Sequence, residues 1–457
     1  MLLSSFVLVR KFCFFVLCSM VIVICIAYNG VSSSAKTLKA EYFMLDNGME
    51  VVLIPNHRAP VVVHMVWYRV GSADDPVGKS GLAHYLEHLM FKGTKRIKPG
   101  EFSQIVARNG GQENAFTSRD YTGYFQRVAR DRLEIVMELE AERMQGLILS
   151  EEITLPERDV ILEERSTRVD NEPASLLSEQ MAAVQFLRHP YGTPVIGWRN
   201  EMEKLTHKDA LNFYRQYYSP DNAILVVAGD ISFSDLKPLA ERYYGGLKPT
   251  KLMTRERPIE PPQISPKEIT LVDKRVPNVS VTRSYLVPVA EEFTTNDKAA
   301  LQIIAELLGN KTTSRIYQSL VVKDKLAAAA GASYQPITLN PNRFFIYAEA
   351  LNGVNANSLT LALDNVISEF LHNGATETEI EEVKIRIQDS TTYALDNPQA
   401  TAYIFGHALS AGMTVHEVEK WSDIIASISS KRLMTIARKV FRPERSVTGY
   451  LLPAGME

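Results

Sequence analysis

One pattern of strands and helices, laid down between residues 41 and 229, starts again after residue 267, and that repetition limits the chain to a fold of two similar halves. In the first pass, residues 41–45 and 49–54 read as strands joined by Asp46-Asn47-Gly48, a strong hairpin signal, and residues 60–70 as a valine-rich third strand. An apolar helix follows near residue 85, then a strand pair at 112–118 and 121–128 and helices at 131–147, 155–170 and 173–186. A helix at 207–217 leads through Ser219-Pro220-Asp221-Asn222 into the apolar strand 223–229. The second pass offers strands at 268–273, 279–287 and 343–350 and helices at 295–308 and 377–394. Residues 397–409 echo the helix at 173–186, and 429–452 mirror the unit 207–229. The reading is an α+β chain of two homologous α/β domains, each a mostly antiparallel sheet packed with helices, over residues 36–247 and 267–457. Residues 248–266, rich in proline and charge and without periodicity, are the expected linker.

Residues 1–35 belong to neither half. Arg10 and Lys11 precede an apolar run, residues 12–28, and a small-residue exit ending at Ala35, which is the form of an export signal. At 17 residues the run also reaches the short limit of a membrane span, so a tether through residues 12–28 is the alternative to cleavage. Cys13, Cys18 and Cys25 all lie here; the remaining chain has no cysteine, hence no disulfide and no thiolate metal site. The expectation is an exported protein, periplasmic or anchored to the inner membrane of a Gram-negative bacterium. A net charge of −3, falling to −5 once Arg10 and Lys11 are removed, argues against nucleic acid as a partner.

The chemistry is concentrated in Gly81-Leu82-Ala83-His84-Tyr85-Leu86-Glu87-His88-Leu89-Met90. Helical spacing puts His84, Glu87 and His88 on one face, while Leu82, Ala83, Leu86, Leu89 and Met90 predict burial of the others. Two imidazoles one turn apart can hold a zinc ion at roughly 2.0–2.1 Å, with Glu87 beside them as a base: this is the inverted H-x-x-E-H arrangement. The second half has Leu307-Leu308-Gly309-Asn310-Lys311 at the matching place and no such motif.

A catalytic zinc site usually takes a third protein ligand. The carboxylate-rich segment at residues 155–165 offers Glu157 and Glu164, two turns apart on one face with Val160 and Ile161 on or beside it; Glu163 points elsewhere. Spacing does not choose between Glu157 and Glu164, and an ordinary surface pair of Glu164 with Arg168 is the plainer alternative.

Three ordered segments resemble the pitrilysin/insulinase family of inverted zinc peptidases: HYLEHLMFKGT at 84–94, NAFTSRDYT at 114–122 and ERDVILEE at 157–164. The likeness is closest to the branch of mitochondrial processing peptidase β-subunits and their bacterial relatives, and is strongest from residue 46 to 229. It implies a clamshell fold of which this chain is half, one zinc ion per chain held by His84, His88 and Glu164, Glu87 as general base, and Glu157 as an orienting carboxylate. It implies that Asn114, Ala115, Phe116 and Thr117 form a strand that pairs with an extended peptide substrate. It also implies a dimer, either with a second copy or with a related chain lacking H-x-x-E-H, in which the partner often supplies an Arg and a Tyr. Arg315 and Tyr317 are the nearest such residues here, and they fit a surface helix equally well. The activity implied is that of a zinc metalloendopeptidase; the alternative is a non-catalytic subunit or assembly scaffold.

Overall fold

In the computed structural model, residues 39–250, 255–287, 293–340 and 342–455 are described, and the leader and its tether lie outside them. Lys39–Glu457 form one compact unit. The first sheet contains β1 (Glu41–Met44), β2 (Glu50–Pro55), β3 (Val61–Tyr68), β4 (Gln112–Thr117), β5 (Thr122–Ala129) and β6 (Ala223–Gly229), ordered β1-β2-β6-β3-β5-β4. The second contains β7 (Lys267–Asp273), β8 (Ser280–Leu286), β9 (Ala327–Tyr334), β10 (Arg343–Ala350) and β11 (Ser446–Pro453), ordered β7-β11-β8-β10-β9. Each sheet has one parallel pair, β2 with β6 and β7 with β11, and is antiparallel elsewhere. The two sheets therefore repeat one topology, with β4 and β9 as corresponding edges.

Five helices position the site: α1 (Leu82–Leu89), α2 (Glu151–Arg165), α3 (Pro173–Gln185), α4 (Thr295–Gly309) and α5 (Pro398–Ser410). Strand β6 is buried at every residue, as its unbroken apolar sequence requires, because helices cover both faces. One cover comes from the other half. Helix α5 lies against β3 and β6 so closely that a Cβ on Gly406 would stand 2.1 Å from Cε2 of Trp67. Helix α3 returns the exchange by packing on β11, where a Cβ on Gly449 would meet Sδ of Met181 at 2.4 Å. Each half lends the other a helix, and the two that echo each other in sequence are the two exchanged.

The described residues of the linker carry neither helix nor strand, but they are clamped. Arg255 and Arg257 bind Asp74 at 2.5 and 3.0 Å, Arg257 also binds Asp120 at 2.5 Å, and Glu260 accepts the backbone N–H groups of Leu187, Arg188 and His189.

Two expectations need correction, and two elements went unforeseen. Helix α2 starts at Glu151 rather than at Leu155, so Pro156 sits inside it. Its buried stripe is Thr154, Glu157, Ile161 and Arg165; Val160, about 60° round from Glu157, is half exposed. Strand β9 and a helix at Ala356–Asn373 were not legible in the sequence. Leu307, Leu308 and Gly309 end the buried helix α4 in the slot that corresponds to α1, and supply no ligand there.

Candidate metal centre

Helix α1 is fixed before any metal is considered. Gly81 precedes it with φ +86°, and a Cβ there would lie 2.2 Å from Sδ of Met202. Asp75 caps the helix: its carboxylate accepts the backbone N–H groups of Gly81 and Ala83, both at 2.8 Å. Leu82, Ala83, Tyr85, Leu86 and Leu89 enter the core, and the Tyr85 hydroxyl donates to the Thr154 carbonyl at 2.5 Å, tying α1 to α2. His84, Glu87 and His88 are left facing the cleft.

Opposite them, α2 presents Glu164. Its Oε2 lies 3.8 Å from Nε2 of His84 and 3.5 Å from Nε2 of His88. One ligand atom from each of His84, His88 and Glu164 falls within 4.8 Å of the others, the one such metal-sized cluster among the described residues. Donors around a tetrahedral zinc with bonds near 2.0–2.1 Å stand about 3.3 Å apart, so this cluster fits the ion with small adjustments. Glu164 is also paired with Arg168 through its other oxygen, at 2.5 Å. The surface pair and the metal-facing role coexist because a carboxylate has two oxygens.

Glu157 stands behind the cluster. Its Oε1 lies 2.9 Å from Nδ1 of His88 and its Oε2 2.5 Å from Nζ of Lys92. The first contact occupies one ring nitrogen of His88 and leaves Nε2 for the cluster. Burial would push the Glu157 carboxyl up, but the bonds from His88 and Lys92 hold it below its ordinary range. Burial would push His88 down, but the bond to Glu157 and the charges of Glu87 and Glu164 raise it instead. His84 has no such partner: its Nδ1 is buried without a hydrogen bond, and burial together with His88 and Arg168 lowers it to about 3. In the absence of a metal His84 is therefore neutral, the state a metal ligand needs.

Glu87 is buried and accepts a 2.5 Å bond from the Thr117 hydroxyl at the end of β4. Burial raises its pKa above the usual carboxylate range, against that bond. Strand β4 is the open edge of its sheet. Asn114, Ala115, Phe116 and Thr117 line the same cleft as the cluster, a space of about 680 Å³. Phe116 is braced from behind by Trp67 at 4.9 Å and by Tyr403 of α5 at 5.3 Å.

Sequence reasoning missed Asp75, Lys92, Thr117 as the partner of Glu87, and Arg119 and Arg343, which also line this cleft. Asp75 sits in a glycine-, aspartate- and proline-rich loop six residues before Gly81, too far for the usual capping signature. Arg315 is bound to Glu379 at 2.9 and 3.1 Å, and neither it nor Tyr317 lines the cleft. A larger cavity of about 1130 Å³ lies beside the linker, and on its wall Asp74 is paired with Arg255 and Arg257.

Comparison with known proteins finds matches along most of the chain. Residues 50–198 match the family described as insulinase (peptidase family M16), and residues 204–387 match the peptidase M16 inactive domain. The chain is 32% identical over 423 residues to zinc protease PqqE of Helicobacter pylori, covering 91% of this chain and 93% of that one. It is 25% identical over 385 residues to a probable mitochondrial-processing peptidase subunit beta of Schizosaccharomyces pombe, covering 81% and 82%. The crystal structure of a protease from Helicobacter pylori superposes with a TM-score of 0.85 at 31% identity, covering 91% of this chain and all of that one.

Proposed function

This chain belongs to the insulinase family of peptidases, family M16, and from that premise we propose that it is a zinc-dependent endopeptidase acting on peptides or unfolded protein segments. The observation that carries the proposal is the convergence of His84, His88 and Glu164 within 4.8 Å on the cleft wall that also holds Glu87. These three residues hold one zinc ion, and Glu157 orients His88 toward it. Zinc, when bound, supplies a Lewis acid that makes water more acidic and polarises the peptide carbonyl.

The protein's own part is positioning and proton transfer. Thr117 holds one oxygen of Glu87, leaving the other to take a proton from the attacking water. A carboxyl raised by burial is a stronger base toward that water, and once protonated it can return the proton to the leaving amine. The substrate lies along the open edge of β4 as an added strand, held by backbone hydrogen bonds at residues 114–117.

The family's chamber needs four such domains, and this chain supplies two. We place the others in a second copy or in a related chain without the metal motif, which would also contribute substrate contacts, since Arg315 is already committed to Glu379. The leader-like sequence of residues 1–35 supports export, to the periplasm or to an inner-membrane anchor through residues 12–28. Among the described residues no helix is long and apolar enough to cross a membrane.

The test is Glu87→Gln. It keeps stoichiometric zinc and loses cleavage of a quenched fluorescent peptide by about a hundredfold or more. A variant that cleaves at the wild-type rate refutes the assignment, and His88→Ala with full zinc occupancy refutes the site. Light scattering on the pure chain reads the oligomeric state, and a monomer that is fully active discards the paired-chain reading.

A further inference from the structure

The cleft has a second charged end, away from the metal cluster. Arg119, two residues beyond β4 in the first half, and Arg343, the first residue of β10 in the second, both line it. Arg343 is 5% exposed, with its guanidinium carbon 4.7 Å from the ring of Phe345 and 5.7 Å from that of Phe186. Arg119 lies 5.6 Å from the Tyr191 ring. Nη1 of Arg343 and Nε of Arg119 are buried with no hydrogen-bond partner. Among the described residues neither guanidinium has an ion-pair partner.

This is out of character for the molecule. Its other deeply buried arginines are each met by carboxylates: Arg143 by Glu140, Arg165 by Glu179, and Arg257 by Asp74 and Asp120. The acids on the wall of this cleft are already engaged, Glu179 by Arg165, Glu164 by Arg168 and the histidines, and Glu87 by Thr117. A buried, unpaired guanidinium (Arg343) with a second, half-buried one (Arg119) on the same cleft wall is costly unless a ligand brings the missing charge. Burial and the charge of Arg119 together push Arg343 down to about 9. Arginine also suits the purpose, because its planar fork binds a carboxylate through two hydrogen bonds.

We infer that Arg119 and Arg343 form a carboxylate-binding subsite, assembled from both halves of the chain, that receives an acidic side chain or the C-terminal carboxylate of the peptide. The inference deepens the peptidase reading and rests on it. It implies that cleavage is favoured at a fixed distance from an Asp or Glu, or from a free chain end.

The test uses the full chain carrying Glu87→Gln, so that peptides bind without turnover, and measures binding by fluorescence anisotropy. One arm scans Asp against Asn through an otherwise neutral peptide; the other compares a C-terminal acid with its amide. We expect one Asp position, or the free acid, to bind about ten- to a hundredfold more tightly than its neutral twin, the scale of a charge-assisted contact. Adding Arg119→Gln or Arg343→Gln removes the preference, so that the acidic and neutral peptides of each pair bind alike. Should Arg343→Gln fail to fold, Arg119→Gln alone carries the test, and Arg119→Glu should turn the preference toward Lys. Equal binding across every pair overturns the inference, as does a preference that survives Arg119→Gln. Wild-type cleavage of the neutral peptide separates the two ideas. Cleavage without any acidic preference leaves the peptidase and removes the subsite. Preferential binding with no cleavage does the reverse, and neither binding nor cleavage removes both.

Discussion

Replacing Glu157 by Gln tests how the metal centre is tuned without touching a proposed ligand. The side chain keeps its size and can still accept a bond from Nδ1 of His88, now 2.9 Å away, but it loses the charge that also holds Lys92 at 2.5 Å. Lys92 is partly exposed and can turn to water, so the perturbation stays local. Partners of this kind typically contribute 10- to 100-fold to metal affinity, about 1.4–2.7 kcal/mol. The pH dependence identifies the cause. His88 must be neutral to bind zinc, and its pKa is raised because the bond to Glu157 and the charges of Glu87 and Glu164 outweigh burial. Protons therefore compete with zinc in the wild type as pH falls through that raised value. Without the Glu157 charge burial counts for more, His88 titrates lower, and competition begins at lower pH. Zinc affinity, measured against a chromophoric chelator, should be weaker in Glu157→Gln at pH 7.5, and the gap should narrow toward pH 6. Equal affinity at pH 7.5, or a gap that widens on acidification, refutes the reasoning.

Three further substitutions probe the frame. Gly406→Ala places a methyl group 2.1 Å from the buried Trp67 ring and should destabilise the fold by about 1–3 kcal/mol in urea melts. Asp75→Ala removes two bonds to the backbone N–H groups at the start of α1 and should cost about 1–3 kcal/mol, with zinc affinity falling alongside stability; loss of stability with zinc affinity intact would separate the cap from the metal site. Asp120→Asn breaks the 2.5 Å pairing with Arg257, and because Arg257 keeps Asp74 the expected loss at pH 7 is about 1–3 kcal/mol. Burial pushes Asp120 up, but Arg257 and Tyr191 hold it below its usual value, so its stabilisation is present above about pH 4 and disappears as pH falls through the depressed pKa. Urea melts of wild type and Asp120→Asn should therefore converge at low pH.

The repeated topology was legible because β6 is an unbroken apolar run and β3 is valine-rich with only His64 interrupting it, and because the turn at Asp46-Asn47-Gly48 announces itself. Strand β9 was not legible. Ala327-Ala328-Ala329-Ala330 has helical propensity, and only pairing with β10 makes it extended. The small residues serve packing: a Cβ on Gly309 would lie 1.7 Å from the backbone nitrogen of Ala332, so α4 descends almost onto the strand. Local propensity loses here to tertiary contact, and a periodicity argument has no access to that contact. Pro156 misled in the opposite way, since proline favours a first helical turn and here stands in the second.

The site divides along a similar line. His84, Glu87 and His88 share one short helix, so their common face follows from helical geometry. The choice of Glu164 over Glu157 does not, because the two lie seven residues apart on the side of α2 that faces α1, and the decision depends on where α2 sits along α1. The Tyr85 bond to Thr154 fixes that position, bringing Glu157 level with the back of His88 and Glu164 level with its front. Arg343 lies further still from sequence reasoning: it belongs to the half without a metal motif and enters the cleft through the way the halves are locked together. The exchanged helices and the clamped linker are what bring it there. The second half is thus not merely a degenerate copy of the first; it lends α5 to the back of the strand bearing Phe116 and a cation to the cleft in front of it. If that is its role, substitutions at Tyr403 should alter peptide affinity while leaving zinc affinity unchanged. Tyr403→Ala removes a ring 5.3 Å from Phe116 and a hydroxyl 3.1 Å from that of Tyr121, loosening β4 from behind. Anisotropy and chelator competition on the same preparation separate the two quantities, and a parallel loss of zinc would assign the second half a general stabilising role instead.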